Sequence, residues 1–503
     1  MTVESLVEDV FAAYGVDVRD LVPEPLDAAP EIPLEIQLAA TIAIADAIAA
    51  RIDEHGAGDP EGEGDRAAFE PWVPLPAPEW DAPDMAAATA ALLRWFEANG
   101  GDLSAIEVRV GPYGRTVHAR RAIAADEIVL TVPRELMLDS YRVRTSPLGL
   151  ALMAAGVHHD HGLLAAFVAR ERAVIDSPWR AAIDALPVAS PGGPLCASAE
   201  DLAPLVGTGA LAELHRVRRM ILDEHALTEA LPSAPVSLAA TAWARTVVSS
   251  RCFRISHQGT AALALIPVAD LCDHGFGDAT YRAHDESGRF EIVAARAIAP
   301  GEEIHLPYGT KSNQALLAGY GFALEDNAYD EATLLFPPGA PSTRHAVLAR
   351  VVGDAPLAGW RRVPVGYRYD ERTRRALSVA RALSADPEEL AAAIEGGLVT
   401  GLDLPWIGDQ TEAAALDLLG RAAQMGLDAV PPVPEGGDYL RQMIARYRRG
   451  QREILDGVLA LVERAPAYTQ GGQQMPYRGR ETWAHLLNDY LHSYMQMGQF
   501  HFG

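Results

Sequence analysis

Cysteine is scarce in this chain of 503 residues, and its scarcity excludes two structural classes. The three cysteines, Cys196, Cys252 and Cys272, cannot form a disulfide framework, so we expect them to be small buried residues in a reducing compartment. Neither a Cys-x-x-Cys pair nor a His-Glu-x-x-His motif occurs, and the sequence therefore signals no zinc site.

Basic residues are outnumbered, with 42 Lys and Arg against 68 Asp and Glu and a formal net charge of −26. A charge of this sign repels the phosphate backbone, so we expect no nucleic-acid partner. It favours a basic partner, or a basic segment of a protein, instead.

Long apolar runs are also missing. The longest, LAATIAIADAIAA at 38–50, is interrupted by Asp46 and is too short to span a bilayer. The first residues, MTVESLVEDVF, are acidic and lack the basic region that opens a secretory signal. These observations predict a cytoplasmic protein with no membrane partner.

The apolar content of 49% and charged content of 22% are those of a globular chain. Apolar residues at helical spacing predict a helical N-terminal extension over 1–55. The Gly-, acid- and Pro-rich composition that follows predicts a linker over 56–100, because such residues do not pack into regular elements.

From residue 101 the pattern changes to short alternating strands. IEVRVGPYGRTVHA predicts a hairpin, and strand-like runs return at ALALIPV, FEIVAARAI and EEIHLPY. An Ala- and Leu-rich helical insert, about 145–246, separates the two groups, which predicts an α+β domain over 101–335. Helical patterns then predict an all-α C-terminal domain over 345–466 and a tail with one helix over 467–503.

Two clusters of polar and aromatic residues lie inside the strand-like runs. ALIPVADLCDH contains Asp270, Asp273 and His274, and PGEEIHLPYGTKSNQALLAGYGF contains Tyr308, Ser312, Asn313 and Tyr320. A purely structural strand pair does not need these residue types, so they predict a pocket for a small polar ligand beside a reactive group. A third cluster, HHDHG with His158, His159 and His161, has a metal-like composition, but we interpret it as an exposed loop and predict no metal site.

Five segments in order resemble the SET-domain methyltransferases, in the subgroup typified by the plant Rubisco large-subunit lysine methyltransferase and the animal actin-histidine methyltransferase. The resemblance implies a SET-type β fold with a helical insert, a C-terminal substrate-binding domain, S-adenosylmethionine as the cofactor and methyl transfer to a protein nitrogen. The match covers roughly residues 105 to 465. The segments are GRTVHARRAIAADEIVLTVPRELML (114–138), DSPWRAAIDALP (176–187), VVSSRCF (247–253), the run from 264 to 322, and ARYRRGQREIL (445–455).

The resemblance also implies roles for individual residues. Tyr308 stands where the family has its catalytic tyrosine, just before a glycine turn. Three aromatic residues match positions that line the amine channel of the lysine enzymes: Phe253, Tyr281 and Tyr320. Seven residues match cofactor-binding positions: Gly114, Arg115, Thr116, Arg251, Asp270, Asp273 and His274.

Two residues depart from the family pattern. The opening loop, normally Gly-x-Gly, ends here in Thr116, which is β-branched and bulkier. Asp273 replaces an asparagine, and an ionised carboxylate accepts hydrogen bonds but donates none. These departures motivate an alternative, a diverged SET scaffold that binds a partner or acts on a small molecule.

Two short motifs bear on whether a lysine or a histidine nitrogen accepts the methyl group. SRCF resembles the lysine enzymes, and we therefore expect lysine methylation. YGTKSN resembles the turn of the histidine enzyme, so protein-histidine methylation is the alternative. The identity of the substrate and the oligomeric state stay open.

Overall fold

The computed structural model describes the residues listed at the end of this paragraph, all of which belong to the compact unit Glu63–Gly503. The helices predicted within 1–55, and all of the predicted tail except its first three residues, lie outside them. No helix among the described residues is long and apolar enough to cross a membrane. The described residues are 72–78, 80–81, 84–111, 114–188, 193–229, 236–336, 361–366, 371–395, 404, 407–430 and 436–469.

Strands and helices alternate in blocks along these ranges. The strands are β1 (Ile106–Gly111), β2 (Gly114–Ala119), β3 (Ile128–Val132), β4 (Leu138–Asp139), β5 (Cys252–His257), β6 (Thr260–Leu265), β7 (Ala279–Ala283), β8 (Phe290–Ala294), β9 (Glu331–Phe336) and β10 (Arg361–Gly366). The helices are α1 (Met85–Ala98), α2 (Ser140–Arg144), α3 (Pro147–Ala154), α4 (Asp160–Ala173), α5 (Arg180–Asp184), α6 (Ala199–Leu202), α7 (Gly209–Glu229), α8 (Leu238–Arg251), α9 (Asn313–Tyr320), α10 (Glu371–Ser384), α11 (Pro387–Glu395), α12 (Asp409–Ala429) and α13 (Tyr439–Thr469).

Small antiparallel sheets build the β part of the fold. The predicted hairpin is present, because β1 and β2 pair antiparallel, while β3–β8–β7 and β4–β6–β5 form two further sheets. The run EEIHLPY, predicted as a strand, forms only isolated bridges, at Glu303 with His118 and at Leu306 with His274. This run is hydrogen-bonded to β2 on one side and to the 270–274 segment on the other, because Ile304 N donates to Val117 O and Leu306 N donates to Asp273 O.

The predicted linker over 56–100 is wrong for its last part, because 85–98 is the helix α1. Asp84 begins the helix, since its carboxylate accepts hydrogen bonds from the amides of Ala86 and Ala87. Leu92 and Phe96, four residues apart on one face, are buried in the core of the β domain. The Pro-rich residues before the helix do not indicate that a helix follows, whereas the capping Asp84 followed by an Ala-rich run does.

Helices α2 to α8 make up the insert, which extends from Ser140 to Arg251 rather than from 145 to 246. Its core contains Trp243 from α8 and Leu163 and Leu164 from α4. Helix α8 begins where the Ser237 hydroxyl accepts from Ala240 N. It runs directly into β5, and Arg251 at its last turn is therefore carried to the edge of the β domain.

The C-terminal part contains strands, so the prediction of an all-α domain is wrong in this respect. β9 and β10 pair antiparallel, and their buried residues Leu334, Phe336 and Val363 share a core with α10, α12 and α13. Only one face of this hairpin meets the helices, which fits its alternating burial. A separate apolar cluster around Tyr447 joins α13 to α7 and α9.

We predict that Phe96→Ala lowers the free energy of unfolding by about 3–5 kcal/mol, because it empties a fully buried site where α1 meets the β core. Urea unfolding followed by circular dichroism measures the change. Arg94→Ala, on the exposed face of the same helix, is the control and should change stability by less than about 0.5 kcal/mol. Equal effects of the two substitutions would show that α1 is not part of the core.

Candidate active site

Two chain segments, 270–274 and 305–308, are held side by side and position the candidate catalytic tyrosine. The backbone of Leu306 donates to Asp273 O at 2.9 Å, and Gly275 N donates back to Leu306 O at 3.1 Å. The Tyr308 phenol donates to the backbone carbonyl of Cys272 at 2.7 Å. The phenol is therefore directed at the 270–274 segment, where the sequence placed the second part of the pocket.

The Tyr308 hydroxyl is neutral at physiological pH. Burial penalises the phenolate and raises the pKa of Tyr308 well above its usual range, and the nearby Asp273 carboxylate raises it further. Tyr320 stacks on this ring with centroids 5.2 Å apart, and burial raises the pKa of Tyr320 to about 12. Both phenols can therefore donate or accept hydrogen bonds but do not carry charge.

His274 is held as a neutral imidazole. Tyr308 N donates to its Nδ1 at 3.1 Å, so Nδ1 must be an acceptor and the proton lies on Nε2. The 3.4 Å approach of Nδ1 to Leu306 O is then a contact rather than a hydrogen bond. Burial lowers the pKa of His274, which agrees with the neutral form.

Arg251 links the end of α8 to the 270–274 segment. Its Nη1 donates to Asp270 O at 2.8 Å and lies 3.3 Å from the Asp270 carboxylate. Arg115 approaches the same carboxylate from β2, and burial lowers the pKa of Arg115 while the charge of Asp270 opposes that shift. The single carboxylate of Asp270 thus lies near two guanidinium groups, so one positive charge at this corner is left uncompensated by it.

An unusual backbone conformation precedes this corner. Val268 has φ of 72° and is fully buried, although β-branched residues rarely adopt positive φ. The surrounding core must hold it there, at a cost of about 1–3 kcal/mol. The following 3-10 turn, Ala269–Leu271, places Asp270 at Arg251, and no sequence signal indicated this strain.

A cleft of about 230 Å³ opens between the insert and the β domain. Its polar and aromatic lining includes Ser250, Arg251 and Asp273 together with Tyr308 and Tyr320. Most of the remaining lining is apolar. These residues come from α8, from two turns of the insert and from the Pro-rich stretch before α1, namely Leu75, Pro76, Ala77, Pro78, Pro187, Val188, Gly193, Pro194, Leu195, Cys196, Ala242, Trp243, Thr246 and Val247.

Asp273, one of the two departures from the family pattern, lies in this cleft. Desolvation raises the pKa of its carboxyl, and the neighbouring Glu303 carboxylate raises it further, although its residue is partly open to solvent. His305 and Arg251 act in the opposite direction. The group therefore takes up a proton more readily than a free aspartate.

Thr116, the other departure, does not line the cleft. Its hydroxyl lies 2.9 Å from His118 Nε2, and His118 Nδ1 lies 3.1 Å from Gly301 O. The pleat of β2 places Thr116 and His118 on one face and Arg115 on the other. Gly114 has φ of 145°, and a β-carbon there would meet nothing within 4 Å, so space remains beside this loop.

The three aromatic residues assigned to the amine channel fall into two groups. Tyr320 lines the cleft and stacks on Tyr308. Phe253 and Tyr281 instead contact each other, at 5.3 Å between centroids, and both contact Phe290 in the β core. They are not among the residues that line the cleft, and their assignment to the channel stays a prediction.

Ser312 and Asn313, which the sequence grouped with Tyr308, have structural roles. The Ser312 hydroxyl begins α9 by accepting from Ala315 N. Asn313 donates from its side chain to Asp330 at 2.8 Å and to Leu324 O at 3.0 Å. This buried network fixes the start of α9, and Tyr320 stands at the last position of that helix.

Phe322 was not assigned a role from the sequence although it lines the cleft. It follows Gly321, which ends α9 with φ of 81°. Its ring centroid lies 6.5 Å from that of Tyr308 and 6.2 Å from that of His274. The Gly-Phe pair directly after the helix is the signal that could have indicated it.

Two histidines of the cluster in the insert, His159 and His161, interact with neighbouring groups of the protein. His159 Nδ1 accepts from Gly162 N and begins α4, while its Nε2 lies 3.1 Å from Glu224. Desolvation, with the nearby Arg245 charge, lowers the pKa of His161 to about 4. Among the residues that the structure describes, no group of three His, Cys, Asp or Glu side chains is arranged to hold a metal ion.

Relatives named for an enzymatic activity match this chain in sequence. The actin-histidine N-methyltransferase of Canis lupus familiaris is 27% identical over 396 residues, which are 73% of this chain and 67% of that protein. The Mus musculus protein of the same name is 28% identical over 280 residues, 52% of this chain. The chain spans about half (47%) of the length of the mouse relative. No protein-family profile matches.

Solved structures match this chain as well. The SET domain of LSMT bound to lysine and AdoHcy superposes with a TM-score of 0.63 at 18% identity, covering 77% of this chain and 93% of that one. Rubisco LSMT bound to AdoMet gives a TM-score of 0.62 at 19% identity, covering 81% and 99%. The α+β fold of SET type that was expected from the sequence is confirmed.

We predict that the buried Asp330, which anchors α9, makes stability depend on pH. Its pKa is raised from 3.8 to about 6, mainly by burial. The folded state therefore binds this proton more tightly, so the stabilisation is complete below about pH 3.8 and is lost as the pH rises through about 6. Relative to Asp330→Asn, the natural chain should gain about 1 kcal/mol in unfolding free energy between about pH 7.5 and about pH 5.

Urea unfolding of both proteins at the two pH values measures this gain. Asparagine does not titrate, so the effect of the amide itself on the free energy of unfolding is the same at both pH values. It therefore cancels when the stability differences at the two pH values are compared. The same stability difference at both pH values would contradict the raised pKa.

Proposed function

We propose that this chain, which has the SET fold and is related in sequence to the actin-histidine N-methyltransferases, is an S-adenosylmethionine-dependent protein N-methyltransferase. One observation carries the proposal. The neutral Tyr308 phenol is held against Cys272 O in a cleft whose lining also includes Arg251 and Asp273. When bound, the cofactor would supply a methyl group on a positively charged sulfur; in-line attack by a nitrogen lone pair on the methyl carbon would break the carbon–sulfur bond and release the neutral thioether.

The cleft residues fit such a cofactor. Arg251 offers a cation for a carboxylate, and Asp273 offers a hydrogen-bond acceptor for a hydroxyl. Aromatic faces at Tyr308 and Tyr320 attract a cation, and Gly114 leaves room for close approach of the backbone. We assign Gly114, Arg115, Thr116, Arg251, Asp270, Asp273 and His274 to the cofactor side, with Arg115, Asp270 and His274 acting through the groups they hold and Thr116 through its backbone.

The role of Tyr308 is to orient the reaction rather than to act as a strong base. A nitrogen acceptor must present a free lone pair, and a lysine has an unperturbed pKa of about 10.4. A low-dielectric cleft and a nearby positive sulfur both favour the neutral amine. A fixed, uncharged hydroxyl can then align the amine, which is chiefly a problem of positioning.

We propose lysine as the acceptor and histidine as the second candidate. Tyr320 beside Tyr308 supports an aromatic channel for an ammonium side chain. Phe253, which contacts Tyr281, has no side-chain group that could hydrogen-bond an imidazole. The name of the sequence relatives favours histidine. Label transfer from radioactive S-adenosylmethionine to a proteome extract, followed by mass spectrometry of the labelled residue, decides between them.

We further propose that the substrate is a basic protein segment and that the protein acts in the cytoplasm. The formal net charge of −26 favours association with positive surfaces. The three cysteines are free, as suits a reducing compartment.

We predict that Tyr308→Phe lowers kcat for methyl transfer by about a hundredfold, because it removes the aligning hydroxyl while keeping the ring. Initial rates with saturating cofactor measure the effect. Tyr141→Phe, on α2, removes a phenol that donates to Gln258 and is the matched control. Undiminished labelling in Tyr308→Phe would remove this residue from the mechanism.

We predict that Asp273→Asn tightens binding of S-adenosylhomocysteine severalfold at neutral pH, since the amide restores a donor. Protonation of the natural carboxyl has the same effect, so affinity of the natural chain should rise as the pH falls towards the raised pKa of Asp273. The variant should lose this dependence. Thr116→Gly should add little, because that side chain contacts His118 outside the cleft.

Isothermal titration calorimetry at several pH values tests both statements. Weaker binding to Asp273→Asn would mean that the cleft is adapted to a carboxylate. Absence of heat with every variant at high ligand concentration would favour the alternative of a scaffold without methyltransferase activity.

A further inference from the structure

Lys311 is the only lysine of this chain, and the remainder of its 42 Lys and Arg residues are arginines. It lies in the YGTKSN turn, just after Tyr308 and just before α9. Its backbone is fixed there, because Lys311 O accepts a hydrogen bond from the Asn327 side-chain amide at 2.9 Å. The side chain is partly buried, so a compact positive charge starts from a defined place beside the candidate site.

The Lys311 ammonium lies beside the aromatic rings of that site. Its Nζ is 5.7 Å from the centroid of the Tyr320 ring, which is within the range of a cation–π interaction. Tyr320 in turn stacks on Tyr308 with 5.2 Å between centroids. Burial raises the pKa of Cys252 and lowers the pKa of His274, and the nearby Lys311 charge opposes the first shift and adds to the second. Lys311 is therefore within electrostatic range of β5, of the 270–274 segment and of the end of α9.

The charge of Lys311 has no bonded counter-charge in this part of the molecule. Among the residues that the structure describes, no carboxylate forms an ion pair with Lys311 and no group accepts a hydrogen bond from its Nζ. The other charged groups around the site are Arg251 and Asp273 in the cleft lining, and Arg245 and Arg254, whose charges reach Cys252. A partly buried charge without a partner acts on its surroundings more strongly than an exposed one.

An acceptor nitrogen that reaches Tyr308 past Tyr320 would meet this charge. The Tyr320 ring alone would attract an ammonium, but it already interacts with the Lys311 ammonium. A like charge within about 4–6 Å disfavours the charged form of a titratable group, and a lysine is activated as a nucleophile in this way when it lies next to another cation. Only the uncharged nitrogen has the lone pair that methyl transfer requires.

We propose that Lys311 is a specificity-determining residue, which repels the protonated acceptor from the Tyr320–Tyr308 site and admits its uncharged form. The acceptor leaves its proton in the solvent before the transfer. The inference rests on the proposed methyltransferase function and applies to a lysine and to a histidine acceptor alike. It adds a source of repulsion that belongs to the protein and persists when the positive sulfur of the cofactor is absent.

Three small probes of different charge test this inference on the full chain saturated with S-adenosylhomocysteine, which lacks the positive sulfur. They are the Nα-acetyl amides of norleucine, lysine and Nε-trimethyllysine, which are neutral, titratable and permanently charged. Calorimetry at about pH 7.5 and about pH 9.5 measures their affinities for the natural chain, for Lys311→Met and for Lys311→Arg. The methionine removes the charge at similar side-chain length, whereas the arginine keeps the charge.

We expect the natural chain and Lys311→Arg to bind the trimethyllysine probe about tenfold or more weakly than Lys311→Met does, while the norleucine probe binds all three alike. The affinity of the natural chain for the lysine probe should rise at least about tenfold between the two pH values, because the uncharged fraction of an amine with a pKa of about 10.4 grows with pH. Lys311→Met should show a smaller rise. Equal affinities of the natural chain and Lys311→Met for the trimethyllysine probe, or an equally large change for norleucine, would overturn the proposal.

Acetylation provides a second readout that does not depend on the folding of a variant. The N-hydroxysuccinimide ester of acetic acid modifies Lys311 as the only lysine side chain of the folded protein, and peptide mass spectrometry confirms the product. The acetylated chain should bind the trimethyllysine probe as Lys311→Met does. Unchanged affinity after acetylation, or no binding of the norleucine probe to a chain that binds S-adenosylhomocysteine, would also overturn the proposal and leave the proposed function intact. Failure of the natural chain to bind S-adenosylhomocysteine would count against the methyltransferase function instead.

Discussion

The candidate site depends on the hydrogen bonds that hold the 305–308 segment against 270–274. They are mostly backbone bonds, and the Tyr308 phenol closes the set by donating to Cys272 O. The tyrosine is thereby oriented by main-chain geometry rather than by a neighbouring side chain that could rotate. His274 contributes to the same arrangement, because its neutral ring accepts the Tyr308 amide. Loss of this pairing would separate the Tyr308 hydroxyl from the charged groups of the cleft.

Charge is distributed unevenly around this centre. Asp270 is surrounded by Arg251 and Arg115 and serves to hold them, whereas Asp273 faces the cleft without a cation bonded to it among the described contacts. The two departures from the family pattern therefore have different weight. Thr116 is directed at His118, outside the cleft, and Asp273 alone changes the chemistry that a ligand would meet.

The Pro-rich stretch 72–78 and α1 both pack against the domain that carries the resemblance, as the bond from Leu75 N to Leu195 O and the burial of Phe96 show. Both were expected to be part of a linker, since proline and glycine dominate the composition before residue 84. Proline does not prevent a segment from packing when its remaining backbone amides find partners, as Leu75 N does at Leu195 O. Composition predicts the absence of regular secondary structure, and it does not predict the absence of tertiary contacts.

The sequence by itself determined the α+β class, the helical insert between two groups of strands, and the polar clusters that contain Asp273 and Tyr308. These features follow from local periodicity and from short motifs, which the chain carries whatever its tertiary contacts are. Only the tertiary structure decided which members of those clusters face a cavity. Asn313 and Tyr308 lie five positions apart in one motif, yet one is buried against Asp330 and the other lines the cleft. The pairing of β9 with β10 and the contribution of residues 75–78 to the cleft lining could not be predicted either. Both depend on contacts between residues far apart in the chain, and spacing along the sequence carries no information about them.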